Sequence, residues 1–421
     1  MRATSIGVIG LILCLTATSV LARQNSGSEK LSLHDRIWIA TQIYAAVHTY
    51  FGHWQAVRDL DFDQEFQSYL DQIVATDDRV AFDLATLELV AKLKNGHSGF
   101  NDYWLIDNHG QMLGFQARRI DSSWVVTAST IADLKRGDVI RSINGQPFQD
   151  FFLSVSKYLV GSNQREQQVS LTNRPYLFPR SFELETSNGR KISIVRKGWP
   201  DNEQYQIGVQ EKDGVAYIKI PSFRDPKLEE AAIEAVKKLA NSKAMIVDVR
   251  GNTGGTTPEG LLARLMNRSF RWWTESVALS AGLLKFRGVL GEHSDLFSYG
   301  GPSDPEKDAY QGELYLLVDE VCGSACEDFL IPFKDNHRAV IVGETTSGST
   351  GQPVPIDFGN GMHLGISARR VFFPDGSQFE GVGVAPDVEV HTTVEDLRVG
   401  SDPVLTKAYA LIREQNGQKS H

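Results

Sequence analysis

Over residues 32–94 apolar positions recur at helical spacing, as in Ile37, Ala40, Ile43, Tyr44, Val47 and Phe51, then Phe82, Leu84, Leu87, Leu89 and Leu93. The pattern predicts three or four helices, ended by the break Lys94-Asn95-Gly96-His97-Ser98-Gly99. Between residues 109 and 198 it gives way to short alternating runs and turn residues. Trp124-Val125-Val126-Thr127 and Lys191-Ile192-Ser193-Ile194-Val195 are examples, and they predict a small β unit. Beyond residue 205 apolar runs alternate with helical patterns. Val215-Ala216-Tyr217-Ile218-Lys219-Ile220, Ala244-Met245-Ile246-Val247-Asp248-Val249, Leu314-Tyr315-Leu316-Leu317-Val318 and Ala339-Val340-Ile341-Val342 read as buried strands. Residues 228–239 and 258–266 read as helices, so an α/β core follows. Residues 403–413 predict one closing helix and 414–421 a loose tail, with no internal repeat.

Composition narrows the class. With 421 residues, 41% hydrophobic and 23% charged, the chain is long enough for two or three domains with ordinary cores. A net charge of −9 without a basic run argues against a nucleic-acid partner. Arg2, the apolar stretch of residues 6–15 and Val20-Leu21-Ala22 predict an export signal over residues 1–22, placing the mature protein in the periplasm or outside the cell. No later run reaches the roughly 18–20 apolar residues of a membrane span. Beyond the signal only Cys322 and Cys326 remain, which excludes a disulfide-built scaffold. Their spacing fits a strained bridge or, more simply, two buried thiols. No Cys-x-x-Cys or His-Glu-x-x-His occurs, and His48 and His53 read as packing on an aromatic-rich helix. No metal or cofactor is expected.

Two segments suit chemistry. Val321-Cys322-Gly323-Ser324-Ala325-Cys326-Glu327 directly follows a buried strand. A hydroxyl at a strand-to-helix turn can project into a cleft beside helix amides, although a Gly-Ser-Ala turn also serves as a plain helix cap. Asp248-Val249-Arg250-Gly251-Asn252-Thr253-Gly254-Gly255 also follows a strand, and its glycines suit an oxyanion hole. A simple glycine turn fits it too, whereas a phosphate site lacks the Gly-Lys-Ser/Thr that would complete it.

Resemblance then adds to the residues. Met112-Leu113-Gly114-Phe115 and Gly137-Asp138-Val139-Ile140-Arg141-Ser142-Ile143-Asn144-Gly145 resemble the carboxylate-binding loop and central element of a PDZ domain. Successive amides at Leu113, Gly114 and Phe115 could grip a peptide's terminal carboxylate beside a strand edge. A β unit used only as spacer or lid fits the same residues.

The order of Asp248 to Gly255, Gly323 to Glu327, Gly343-Glu344-Thr345-Thr346-Ser347-Gly348 and Gly381-Val382-Gly383-Val384-Ala385-Pro386-Asp387 resembles the C-terminal processing and tricorn-like family of serine peptidases. In the processing branch the base is a lysine in a Thr-Phe-Gly-Lys-Gly element. The matching run here is Thr346-Ser347-Gly348-Ser349-Thr350, so Ser349 stands at the lysine position, and Lys334, the nearest lysine after Ser324, is expected to face water. In the tricorn-like branch the base is a histidine after the helical region, matched by His97, oriented by a glutamate matched by Glu380. That branch has a serine directly before the histidine, where this chain has Gly96; Ser98 lies on the other side as a possible supporting hydroxyl.

The resemblance therefore implies Ser324 as nucleophile, His97 as base, Glu380 as orienting carboxylate, and Gly255 and Ala325 as oxyanion donors. It implies an α+β multidomain protein with an N-terminal helical unit over 31–108, a PDZ-like domain over 109–200 and a crotonase-like α/β core over 205–395, followed by a helix and tail over 396–421. The expected function is exported serine endopeptidase acting on polypeptides, its oligomeric state open. The alternative is a non-catalytic ligand-binding or scaffold protein on the same fold.

Overall fold

The computed structural model describes residues 28–197, 205–278, 294–298 and 302–418. The expected export signal and the last residues of the tail lie outside them. Three helices open the described chain: α1 (Leu33–Tyr50), α2 (Phe62–Val74) and α3 (Arg79–Ala91). Each begins at a side-chain cap: Ser32 accepts from the Asp35 amide, Asp61 from Gln64 and Asp78 from Ala81. The buried face of α1 runs through Ile39, Ala40, Ile43, Ala46 and Val47. Ile37, assigned to that face by its spacing, is 38% exposed. Arg36 takes the buried place instead, spending its guanidinium on the Ile73 and Thr76 carbonyls at the end of α2.

The unit is not built from helices alone. After α3 the chain forms β1 (Gly99–Asp102), which pairs antiparallel with a strand from far downstream, β16 (Met362–Ser367). Met362, Leu364 and Ile366 of that strand pack among Ile43, Phe82 and Leu93. A buried ion pair pins the junction: Arg79 Nε and Nη2 reach Asp102 at 2.6 and 2.8 Å, and Nη2 also donates to the Asn360 carbonyl.

A short helix, α4 (Tyr103–His109), leads to an antiparallel sheet with strand order β2 (Phe115–Ile120), β3 (Ser123–Ser129), β4 (Val139–Ile143), β6 (Ser181–Thr186), β7 (Lys191–Val195). Asn144 and Gly145 both take positive φ, 49° and 81°, in the tight turn from β4 to the two-residue β5 (Gln146–Pro147). An aromatic core of Trp124, Phe148, Phe152, Phe178 and Phe182 fills the unit. Helix α5 (Phe148–Val155) supplies part of it, and helix α6 (Gln164–Ser170) lies against the edge strand β2.

The remaining chain forms a six-stranded sheet ordered β18 (Val388–Glu389), β14 (Val340–Gly343), β13 (Glu313–Val318), β10 (Ala244–Asp248), β9 (Val215–Lys219), β8 (Gly208–Lys212). All pairings are parallel except β8 with β9. One face is covered by α7 (Pro226–Lys238), α8 (Glu259–Leu265) and α9 (Ala325–Asn336). The other is covered by the helix Pro403–Gln418 through Val404, Ala408 and Ile412. Completely buried strands such as β10 account for the unbroken apolar runs in the sequence. The turns after β10 and β13 lie side by side at the carboxyl ends of parallel strands, where open α/β sheets place ligands.

Candidate active site

Asp319 and Asn252 build the two turns together. Asp319 Oδ1 accepts from the amides of Gly251, Val321 and Cys322 at 3.0–3.2 Å. Asn252 Oδ1 accepts from Gly254 N, and its carbonyl accepts from Gly323 N. Ahead of the glycines, Arg250 is held by Asp248 and by Asp402 from the start of the C-terminal helix. Ser324 sits where β13 gives way to α9 with φ 56° and ψ −129°, a backbone state costly for a residue with a side chain. Its amide is fixed by the Ser349 carbonyl at 2.9 Å. Gly254 fits against it with φ 92°; a Cβ there would stand 2.7 Å from Ser324 Cβ and 2.8 Å from Ala325 N. The amides of Gly255 and Ala325 have no acceptor among the described residues. Cys322 and Cys326 are free and buried, both directed at the Val249 carbonyl.

His97 reaches this turn from the break after α3. Its Nε2 lies 3.0 Å from Ser324 Oγ and its Nδ1 2.9 Å from Ser349 Oγ. Ser349 Oγ lies 3.2 Å from Ser162 Oγ, which donates to Glu380 Oε1 at 2.6 Å. Asn95 Nδ2 donates to the same oxygen at 3.0 Å. The Ser162 hydroxyl faces both Ser349 Oγ and Glu380 Oε1 as donor, and a proton on His97 Nδ1 faces Ser349 Oγ. That tautomer leaves the Nε2 lone pair facing the Ser324 hydroxyl.

Burial depresses the imidazole to a pKa of about 4, helped by the positive charge of Arg369, so the ring is neutral at physiological pH. Burial pushes Glu380 up to about 8; the Ser162 hydrogen bond opposes this and the nearby Glu166 carboxyl adds to it. Glu327, one turn into α9, is fully buried and also raised by burial, yet it accepts from Thr346 Oγ1 and from the amides of Gly348 and Ser349. It thereby fixes the loop carrying Ser349.

Ser324, His97 and Glu380 thus share one site with Gly255 and Ala325. Ser98 is directed elsewhere: its hydroxyl donates to Asn95 Oδ1 and accepts from Ser367 N, bracing β16 behind the ring. The link from His97 to Glu380 runs through Ser349 and Ser162 instead. Ser349 carried a signal, since it stands at the lysine position of the processing-type pattern. Ser162 carried none, because it belongs to the middle unit and joins the site only through tertiary packing. The same loop and α6 contribute Asn163, which donates to the Ser347 and Gly381 carbonyls, and Arg165, which donates to Thr346 O. Lys334 pairs with Asp387 at 2.5 Å on the outer end of α9. Leu113, Gly114 and Phe115 lie apart from the cleft and line a separate cavity of about 750 Å³ with Ile131 and Ile194. The cleft itself, about 540 Å³, is lined by His97, Ser324, Gly255, Glu166 and Arg224 among others. Among the described residues no cluster suited to a metal ion occurs.

Residues 214–390 match the core of peptidase family S41. The S41 match begins just before β9 and ends after β18, so it contains Ser324 and Glu380 but not His97. Carboxyl-terminal-processing peptidase 2, chloroplastic, of Arabidopsis thaliana is 28% identical over 175 residues, 41% of this chain and 31% of that protein. A probable CtpA-like serine protease of Staphylococcus aureus (strain N315) is 26% identical over 262 residues, 62% of this chain and 47% of that protein. The chain therefore spans less than half the length of these relatives in its matched region. Among solved structures, mature CPAF complexed with lactacystin has the same overall fold, with TM-score 0.70 at 14% identity over 91% of this chain and 98% of that one. The photosystem II D1 C-terminal processing protease gives TM-score 0.52 at 17% identity, covering 87% and 94%. The S41 core thus sits in a mixed α and β architecture shared along nearly the whole described chain.

Proposed function

We propose that the protein is an exported serine endopeptidase in which Ser324 attacks the scissile carbonyl and His97 acts as base. The observation that carries this reading is the contact between His97 Nε2 and Ser324 Oγ at 3.0 Å, with Nδ1 tied to a carboxylate through two hydroxyls. His97 takes the Ser324 proton as the tetrahedral intermediate forms and returns it to the leaving amine, and water repeats the cycle on the acyl-enzyme. The Gly255 and Ala325 amides, which lack acceptors, serve as oxyanion donors, each worth about 3 kcal/mol of barrier. A lysine base is unsuited here, because Ser349 occupies its position and Lys334 is paired with Asp387 on the surface.

The middle unit acts as a PDZ-like docking module. Gly114 takes φ 79° at the start of the edge strand β2, beside a cavity lined by Leu113 and Phe115, as a loop receiving a peptide's terminal carboxylate requires. Held there, a polypeptide tail has a raised local concentration at the cleft.

Fluorophosphonate labelling tests the central claim. Wild type should label at Ser324, and Ser324→Ala should neither label nor cleave unfolded protein while keeping its circular dichroism spectrum. Cleavage by the alanine variant at the wild-type rate would overturn the reading.

A further inference from the structure

The end of the relay holds a second carboxyl group. We propose that Glu166 is a positioning residue of the hydrolytic site: with Glu380 it forms a carboxyl pair, bridged by Ser162, that holds one proton and one negative charge behind His97. The inference rests on the peptidase reading above.

Ser162 bonds both acids, one through each part of itself. Its backbone amide donates to Glu166 Oε2 at 2.6 Å, and its hydroxyl donates to Glu380 Oε1 at 2.6 Å. The same hydroxyl accepts from Gly96 N at 3.1 Å, joining the pair to the residue just before His97. Gly96 makes the arrangement possible, since a Cβ there would stand 1.9 Å from Glu166 Oε1. The space that a side chain at position 96 would fill is taken by a carboxylate from α6.

The charged groups facing the pair are otherwise engaged. Arg165 on α6 spends its guanidinium on the Thr346, Ser347 and Val382 carbonyls. Arg369 on β17 (Arg369–Phe372) pairs with Glu275. Glu327 on α9 is a further acid, bound to the 346–349 loop, and His97 is neutral. Neither Glu166 nor Glu380 has an ion pair among the described residues. Two acids bonded to one serine, Glu380 buried and Glu166 half-buried, resist ionising together although the Arg165 charge eases the ionisation of Glu166, so the pair titrates in two separated steps. Burial places both near neutrality, Glu166 at about 7 and Glu380 at about 8. No proton leaves the pair during a turnover. The moving proton passes from Ser324 Oγ to His97 Nε2 and on to the leaving amine, while the shared negative charge strengthens the hydrogen bonds that hold the imidazolium.

The test is the pH dependence of kcat/KM on a fluorogenic peptide, with fluorophosphonate labelling measured alongside. A carboxylate with raised pKa is lost as pH falls, so the wild-type rate should decline on the acid side well above the pH at which His97 titrates. At the acid-side step the neighbouring acid is already protonated, and Glu166→Gln leaves Glu380 alone to carry the charge, so that decline should move to higher pH by less than about one unit. Gly96→Ala, which displaces the Glu166 carboxylate, should move it the same way, and in a Glu166→Ala background it should produce no further shift. Glu166→Asp keeps a carboxyl group and should restore the decline toward its wild-type position. A Glu166→Gln enzyme that loses rate with an unmoved profile, or whose decline moves to lower pH, overturns the role of Glu166. If wild type neither labels nor cleaves, the peptidase reading falls and this inference with it.

Discussion

The two nitrogens of His97 face regions built in opposite ways. On the Nε2 side stands the proposed nucleophile, Ser324, whose position is set by local chain geometry: a buried strand, a sharp turn with φ 56°, and a helix. On the Nδ1 side stand Ser349, Ser162, Glu380 and Asn95, drawn from four stretches of chain far apart in sequence. The first region is a supersecondary unit that a short motif can encode. The second exists only once the helical, middle and core units have packed together, so its parts tolerate separation along the chain but not displacement in space.

The sharpest way to break this contrast is at the nucleophile. Ser324→Ala should lower kcat by on the order of 10⁴-fold or more, and His97→Ala should be comparable, because the two act as one unit. Single-turnover cleavage of a fluorogenic peptide measures both. Gly254→Ala comes next. Its Cβ would press within 2.8 Å of Ser324 and Ala325, and positive φ adds backbone strain, so a loss of about 100-fold in kcat with little change in KM is expected.

On the far side the effects should be graded with distance from the ring. Ser349→Ala should cost about 100-fold in kcat/KM and Ser162→Ala about 10-fold, since each removes one hydrogen bond of a charge-assisted chain. Equal losses at both positions would show that the chain acts as a rigid block rather than in series. Asp102→Asn separates support from chemistry. It leaves Arg79 buried and unpaired, so urea unfolding should show a loss of about 3–5 kcal/mol while the residual folded enzyme keeps its kcat. Ser98→Ala should change the rate least, less than about 3-fold, because its hydroxyl faces Asn95 and β16 rather than the ring.

These differences follow the line between what the sequence discloses and what it conceals. The strands of the core were legible because burial on both faces writes continuous apolar runs, and Ser324 was legible because it follows one of them. His97 became legible only through the order of motifs, since a lone histidine after a helix has no periodic signature. Ser98 was one possible supporting hydroxyl, suggested by adjacency in sequence. The ring, however, turns Nδ1 toward the 346–350 loop, which Glu327 holds from behind. Ser162 and Glu166 lie within a segment whose alternation predicts only a β unit, and no local pattern reports that a helix at its edge reaches another unit's cleft. The pairing of β1 with β16 was concealed for the same reason, since strand partners about 260 residues apart leave no local trace.

The clamp on Arg250 has a bearing on synthesis. The guanidinium just ahead of the glycine turn is gripped partly by Asp402, a residue translated after every other named member of the cleft. A polypeptide cut short before that carboxylate would leave Arg250 gripped by Asp248 alone, so the last stretch to be made tightens a turn whose other ties are already in place.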